Sequence, residues 1–308
     1  AFGGSDMGSL AFVFAGQGAQ YPGMGVALYE RSPAARKAFD AAEAALPGTL
    51  KLCFEGPAEE LQKTVNTQPC LFAMDLACAE AAREAGIEPD CLAGFSLGEV
   101  AAAAFGGVLP LPRALEFVKR RAEAMQACAE EHPGAMGAAL RLSAEEVEAV
   151  CAEFPGVAFP VNYNCPGQTV VACAVDTYPE LEKRIAERRG RMLRLNVSGA
   201  FHTPWMGRAT EALSAFLANE ALSQPRAPLY ANCTALPYEG DMAALLSRQV
   251  SEPVRWQRSV ENMVRSGVDR FVEVGAGATL SGLIRKIAPG AKAINVETPE
   301  DLQKLKEV

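Results

Sequence analysis

The sequence predicts an α/β protein, a parallel-sheet core interrupted by a smaller unit, and three observations carry that expectation. Leu10-Ala11-Phe12-Val13-Phe14 is an apolar run closed by glycine, the pattern of a parallel strand buried on both faces. Residues 91–94 form a second short apolar run, Phe95-Ser96 a sharp turn, and 97–105 an alanine-rich helix. From residue 135 the texture changes to strand (135–141), helix (143–153), two strands (157–164 and 168–174), helix (176–189) and strand (191–196).

Between the first two strands, Ser32-Pro33 supplies an N-cap and a first-turn proline for a helix over 33–45, and a second helix over 68–85 stops at Gly86. The β-α-β-β-α-β order after residue 135 matches a ferredoxin-like subdomain. Helix and strand alternation resumes after His202, with a late strand over 270–275, so the small unit is an insertion. The division expected is a large α/β-hydrolase-like catalytic domain over 7–130 and 199–308, with the insert over 131–198. There is no internal repeat and no low-complexity segment.

Composition narrows the class. A formal net charge of −8 argues against a nucleic-acid binder, which needs a basic surface. Hydrophobic residues make up 49% of the chain, yet every apolar run is broken well before the roughly 18–20 residues of a membrane span. The nine cysteines include no C-x-x-C pair and only two histidines accompany them, so neither a metal site nor a disulfide framework is expected and a cytoplasmic location is. Ala1-Phe2-Gly3-Gly4-Ser5-Asp6 lacks the charged and apolar regions of a signal peptide and reads as a vector-derived tail ahead of a start at Met7. Arg188, Arg189, Arg191 and Arg194 concentrate positive charge, either as a solvated helix end or as a docking surface for an acidic partner.

Gly94-Phe95-Ser96-Leu97-Gly98 fits G-x-S-x-G between a strand and a helix, the setting of a nucleophile elbow. The glycines allow the tight turn that exposes the Ser96 hydroxyl, and the first amides of the helix point at any oxyanion formed there. Serine needs a base, most often histidine. His132 lies in a polar turn and reads as solvated; His202, where the insert returns to the large domain, is placed to face Ser96 across a cleft. No acid stands out to orient it, which leaves a backbone or amide acceptor.

In the helix over 113–126, Arg121 falls on the stripe of Ala114, Phe117, Val118, Ala122 and Met125, opposite Arg113, Glu116, Arg120 and Glu123. A guanidinium there either pairs with an internal carboxylate or awaits an anionic ligand. A planar fork suits two-pronged capture of a free carboxylate. Gly16-Gln17-Gly18-Ala19-Gln20 lacks the third glycine of a dinucleotide site, Tyr21 standing there, and reads as a tight turn or a second oxyanion donor.

Together these residues resemble the malonyl-CoA:acyl-carrier-protein transacylases of fatty acid synthesis and the acyltransferase domains of polyketide synthases. The marks run from Phe14-Ala15-Gly16-Gln17-Gly18-Ala19-Gln20 through Thr67-Gln68-Pro69, Gly94-Phe95-Ser96-Leu97-Gly98-Glu99, Arg121 with Met125-Gln126, Asn162-Tyr163-Asn164 and Phe201-His202 to Pro253-Val254-Arg255-Trp256. The resemblance implies Ser96 as nucleophile, His202 as base, a Gln249 carbonyl orienting it, Gln17 and Leu97 amides as the oxyanion hole, and Arg121 as the clamp for the malonyl carboxylate. Gln68, Phe201 and Asn164 would contact substrate, Phe201 being the malonyl-selective form of its motif. It further implies coenzyme A thioester as substrate, acyl carrier protein as transient partner, a monomer, and no metal or cofactor. The sequence departs from the common pattern at Phe95, where histidine is usual, and at Ala276, where proline is. The rival readings are a serine esterase or thioesterase sharing the elbow, against which Arg121 and the insert both speak, a polyketide-synthase acyltransferase with a different acyl donor, and a catalytically idle acyl-binding or scaffold subunit, against which Ser96 with His202 speaks.

Overall fold

The structure, a computed structural model, describes residues 8–307; the expected start at Met7 lies outside them. It is a mixed α/β fold with one parallel and one antiparallel sheet. In chain order the strands are β1 (Ser9–Phe14), β2 (Cys91–Gly94), β3 (Gly134–Leu140), β4 (Ala158–Cys165), β5 (Gln168–Ala174), β6 (Arg191–Arg194), β7 (Leu229–Tyr230), β8 (Val268–Val274) and β9 (Lys292–Val296).

The larger sheet has the order β7-β2-β1-β8-β9 and every pair in it is parallel. β1 is central and buried on both faces, as its unbroken apolar run requires. Phe12 and Phe14 pack towards helices Thr64–Glu84 and Leu97–Phe105, whereas Ala11 and Val13 pack with Trp256, Val260 and Ile284 on the opposite face. The carboxyl ends of β1, β2 and β8 lie side by side, the edge at which open parallel sheets carry their sites.

The smaller sheet, β4-β5-β3-β6, is antiparallel throughout. Helices Ala144–Ala152 and Tyr178–Glu187 cover one face through Val147, Val150, Leu181 and Ile185. Met136, Ala138, Val170 and Ala172 on its other face join the core of the large part, so the two sheets share apolar packing.

The expected elements hold within a few residues, with three differences. The second helix begins at Thr64, four residues before the expected start, and carries Pro69 inside it. Lys63 provides the first carbonyl, accepting from the Asn66 and Thr67 amides, and only the Val65 carbonyl loses its donor to the proline ring. The helix expected over 176–189 opens as a 3₁₀ turn, Val175–Thr177, and becomes α-helical only at Tyr178. The last small strand ends at Arg194, because residues 195–196 turn into the cleft wall.

Candidate active site

The elbow is built by close backbone approach. A side chain at Gly94 would place its Cβ 2.0 Å from the Gly98 carbonyl carbon, and one at Gly98 would sit 2.1 Å from the Phe14 carbonyl oxygen. Neither obstacle is a movable side chain, so glycine is obligatory at both positions. Between them Ser96 adopts φ 53° and ψ −108°, a backbone state that costs a non-glycine residue about 1–3 kcal/mol and persists only where the surroundings impose it. The turn delivers the Ser96 hydroxyl to the rim of the cavity.

His202 also has a positive φ, 63°, and its Nε2 stands 2.9 Å from Ser96 Oγ. Its Nδ1 faces two backbone carbonyls, Gln249 O at 2.9 Å and Glu252 O at 3.2 Å. Carbonyls only accept, so Nδ1 carries the proton and Nε2 presents its lone pair to the serine. Burial, and after it the positive charge of Arg121, holds the His202 imidazolium down at about 4, against smaller upward pulls from the two carbonyls. The imidazole is therefore neutral and available as a base across the physiological range.

Arg121 is 1% exposed, and no carboxylate pairs with it among the described residues. Its Nη1 donates to Gln68 Oε1 at 2.7 Å; its Nη2 donates to Gln249 Oε1 at 2.8 Å and to Ser96 Oγ at 3.1 Å, while Nε has no partner. Desolvation lowers its pKa to about 10, with Glu99 pulling the other way, so the charge persists at neutral pH. A buried cation satisfied only by neutral amides and a hydroxyl retains its affinity for an anion. Of the two alternatives open in the sequence, the direct internal ion pair is the one the geometry removes.

The cavity at Ser96 has a volume of ≈ 340 Å³ and is walled by Gln17, Met125, Phe201 and His202, with Arg194 at its edge. Leu97 opens the helix after the elbow, so its amide has no intrahelical acceptor, and the Gln17 amide has none among the described residues. The Ser96 amide, by contrast, is engaged by Asn232 Oδ1 at 2.8 Å. The Leu97 and Gln17 amides are thus without an acceptor among the described residues at the elbow, while the Ser96 amide is occupied.

Two of the expected substrate contacts are set back from the cavity at Ser96. Gln68 is fully buried behind Arg121, donating to Met125 Sδ at 3.4 Å while its oxygen holds the guanidinium, and like Arg121 it is not part of that cavity's wall. Asn164 lines a neighbouring cavity of ≈ 240 Å³ rather than the one at Ser96; Gln17, Phe95 and Asn162 are shared walls. Phe95 leans on Trp256 at a ring separation of 5.6 Å. His132 is exposed and stacks on Trp205 at 6.0 Å, away from the cavity. The sequence reading missed Asn232 and gave Glu99 no role; both are buried beneath the elbow. The available signal for Asn232 was a lone polar residue ending the apolar stretch 229–231.

A serine on a strained turn against a neutral histidine at the carboxyl edge of a parallel sheet, with a buried cation beside it, is an arrangement that fits an acyltransferase. The acyl transferase domain model matches residues 11–298. A malonyl CoA-acyl carrier protein transacylase of Bacillus subtilis (strain 168) is 38% identical over 305 residues, covering 96% of each chain. The polyketide biosynthesis protein ThaF of Burkholderia thailandensis is 36% identical over 286 residues, 91% of this chain and 24% of that protein. Among solved structures, the malonyl CoA-acyl carrier protein transacylase of Clostridium perfringens superimposes with a TM-score of 0.93 at 32% identity, over 97% of this chain and 96% of the other. The chain belongs to the acyl transferase domain family, among the malonyl CoA-acyl carrier protein transacylases.

Proposed function

We propose that the protein transfers malonyl from malonyl-CoA to the phosphopantetheine thiol of acyl carrier protein through an ester on Ser96. The observation that carries this reading is Arg121, a buried guanidinium with no carboxylate partner among the described residues, 3.1 Å from the Ser96 oxygen. It takes the free carboxylate of the malonyl group two-pronged, exchanging its neutral contact to Gln249 for charged ones.

His202 Nε2 takes the Ser96 proton as Oγ attacks the thioester carbon. The Leu97 and Gln17 amides hold the tetrahedral oxyanion, each such donor contributing about 3 kcal/mol. The intermediate collapses by breaking the carbon–sulfur bond, and the coenzyme A thiol leaves with the proton from His202. The same steps in reverse pass malonyl to the carrier thiol, a ping-pong sequence. Gln249 acts twice, its backbone carbonyl fixing the histidine tautomer and its side chain positioning Arg121. Phe201 crowds branched acyl groups. No metal or cofactor enters any step.

The neighbouring cavity suits the pantetheine arm. Asn162 and Asn164 each present a buried carbonyl oxygen with no partner among the described residues, ready to accept from its amides. Carrier protein docks by charge on the exposed residues Arg188, Arg189, Arg191 and Arg194, with Arg194 at the cavity mouth, or on Arg285 and Lys286. The chain acts as a cytoplasmic monomer. We read residues 7–130 and 199–308 as an α/β-hydrolase-like domain and 131–198 as an inserted ferredoxin-like subdomain; the strand order β4-β5-β3-β6 supports the second reading.

The test is intact mass after brief incubation with malonyl-CoA, followed by holo-carrier protein. Native chain should gain a malonyl group that Ser96→Ala does not, and should lose it to the carrier faster than to water. Release to water at an equal rate would point to a hydrolase instead.

A further inference from the structure

Asn232 does not line the cavity, yet its side chain spans the elbow from beneath. Its Oδ1 accepts the Ser96 amide at 2.8 Å and its Nδ2 donates to the Gly94 carbonyl at 2.6 Å, so one carboxamide grips the chain on both sides of the strained residue. The same Oδ1 takes Gln249 Nε2 at 3.2 Å, and that nitrogen also donates to the Ser96 carbonyl at 2.9 Å. Both backbone polar groups of Ser96 are thus held by side chains.

Asn232 is itself anchored. Its backbone amide donates to Glu99 Oε1, and Glu99 Oε2 accepts the Tyr238 hydroxyl. Asn232, Glu99 and Gln249 are each no more than 1% exposed and Tyr238 is 8% exposed, so these bonds are made in a low dielectric where an unmatched group is costly. A carboxamide satisfies both neighbours, since Gly94 O needs a donor and Ser96 N–H an acceptor.

We propose that Asn232 is a positioning residue for acyl transfer, its carboxamide locking the elbow so that Ser96 Oγ stays on His202, with Glu99 and Tyr238 holding Asn232 in place. By occupying the Ser96 amide it also assigns the oxyanion to Leu97 and Gln17. The inference rests on Ser96 being the nucleophile of the proposed transfer, so its test reads Ser96 in a second way that needs no malonyl group.

The experiment measures kcat and KM for malonyl transfer, the rate at which a fluorophosphonate modifies Ser96, and thermal melting, in native chain, Asn232→Ala, Asn232→Leu, Glu99→Ala and Glu99→Gln. Asn232→Leu keeps the volume but loses both the acceptor for Ser96 N–H and the donor to Gly94. Misplacing a reacting group by a fraction of an ångström to an ångström slows reaction about ten- to a hundredfold. Both Asn232 variants should therefore lose at least about tenfold in kcat and in fluorophosphonate rate, with KM held within about threefold. Glu99→Gln retains an acceptor for the Asn232 amide and should stay near native in both rates, whereas Glu99→Ala should resemble Asn232→Ala.

A folded Asn232→Leu with native kcat and native fluorophosphonate rate would overturn the proposal, as would a rise in KM alone. If Asn232→Ala does not fold, Asn232→Leu, which leaves no cavity, decides. Native chain that reacts with fluorophosphonate but takes no malonyl group would remove the proposed function and leave the positioning role to be judged on the fluorophosphonate rates.

Discussion

Replacing Arg121 by alanine should convert a malonyl-selective site into one that no longer distinguishes malonyl from acetyl. A hydrogen bond to a charged group contributes about 1.5–3 kcal/mol, and a carboxylate gripped by both arms of the fork makes two. Binding displaces the neutral contact to Gln249 Oε1, 2.8 Å from Nη2, which offsets about 1 kcal/mol. The balance is about 2–5 kcal/mol, or roughly thirtyfold to a few thousandfold in malonyl loading at about 1.4 kcal/mol per tenfold. Acetyl has no carboxylate and shares only the smaller loss that follows from releasing Ser96 Oγ and orphaning Gln68. The assay is single-turnover loading from malonyl-CoA and acetyl-CoA, read by intact mass, so that the ratio of the two rates cancels any general damage. Arg121→Lys should fall between, since an ammonium keeps the charge without the fork. An equal fall in both rates would refute the clamp and leave Arg121 as a support for Ser96 and Gln249.

Three further outcomes follow from the geometry. Because His202 is held down to about 4 by burial and then by Arg121, kcat/KM should stay flat from pH 8 to about 5 and fall only near 4; a midpoint near the usual 6.5 would contradict the buried neutral imidazole. The sign for stability agrees: between about pH 6.5 and 4 the unfolded chain binds this proton and the folded chain does not, so this group makes stability rise with pH through that window and adds nothing above it. Gly94→Ala forces a Cβ to 2.0 Å from the Gly98 carbonyl carbon and should cost at least about 3 kcal/mol, seen as a lower Tm with loss of Ser96 loading; a native Tm would show that the elbow can yield. Reversing the exposed residues Arg189 and Arg191 to Glu should slow transfer to carrier protein, most at low ionic strength, while loading from malonyl-CoA is unchanged. Carrier transfer at the native rate would move the docking surface to Arg285 and Lys286.

How far the chain could be read depended on the range of the interactions. The strand Ser9–Phe14 was legible because a strand covered on both faces has no polar alternation to hide it. The elbow was legible because its cause is local: Gly94 and Gly98 flank the serine they free, and their close approach lies within one turn. The burial of Arg121 followed from helical periodicity alone, since Ala114, Phe117, Val118 and Met125 mark the stripe it occupies. The helix start at Thr64 was not legible, because Pro69 marks a first turn far more often than a helix interior.

What satisfies Arg121 was decided only by the tertiary structure. Its acceptors Gln68 and Gln249 lie 53 and 128 residues away, and nothing local separates a buried arginine with an internal carboxylate from one held by amides. The same holds for the cavities, where a spacing of two residues along β4 puts Asn162 on the shared wall and Asn164 only in the second chamber. Asn232 was the least visible, following the two-residue strand β7 and reaching partners 136 and 138 positions earlier in the chain. By itself the sequence determined the α/β class, the serine on its glycine-flanked turn and the buried arginine, because each depends on spacing within one element, and it singled out His202 because only two histidines compete. The partners that hold them were decided by packing of elements far apart in the chain, because hydrogen bonds at a site join whatever the fold brings within about 3 Å.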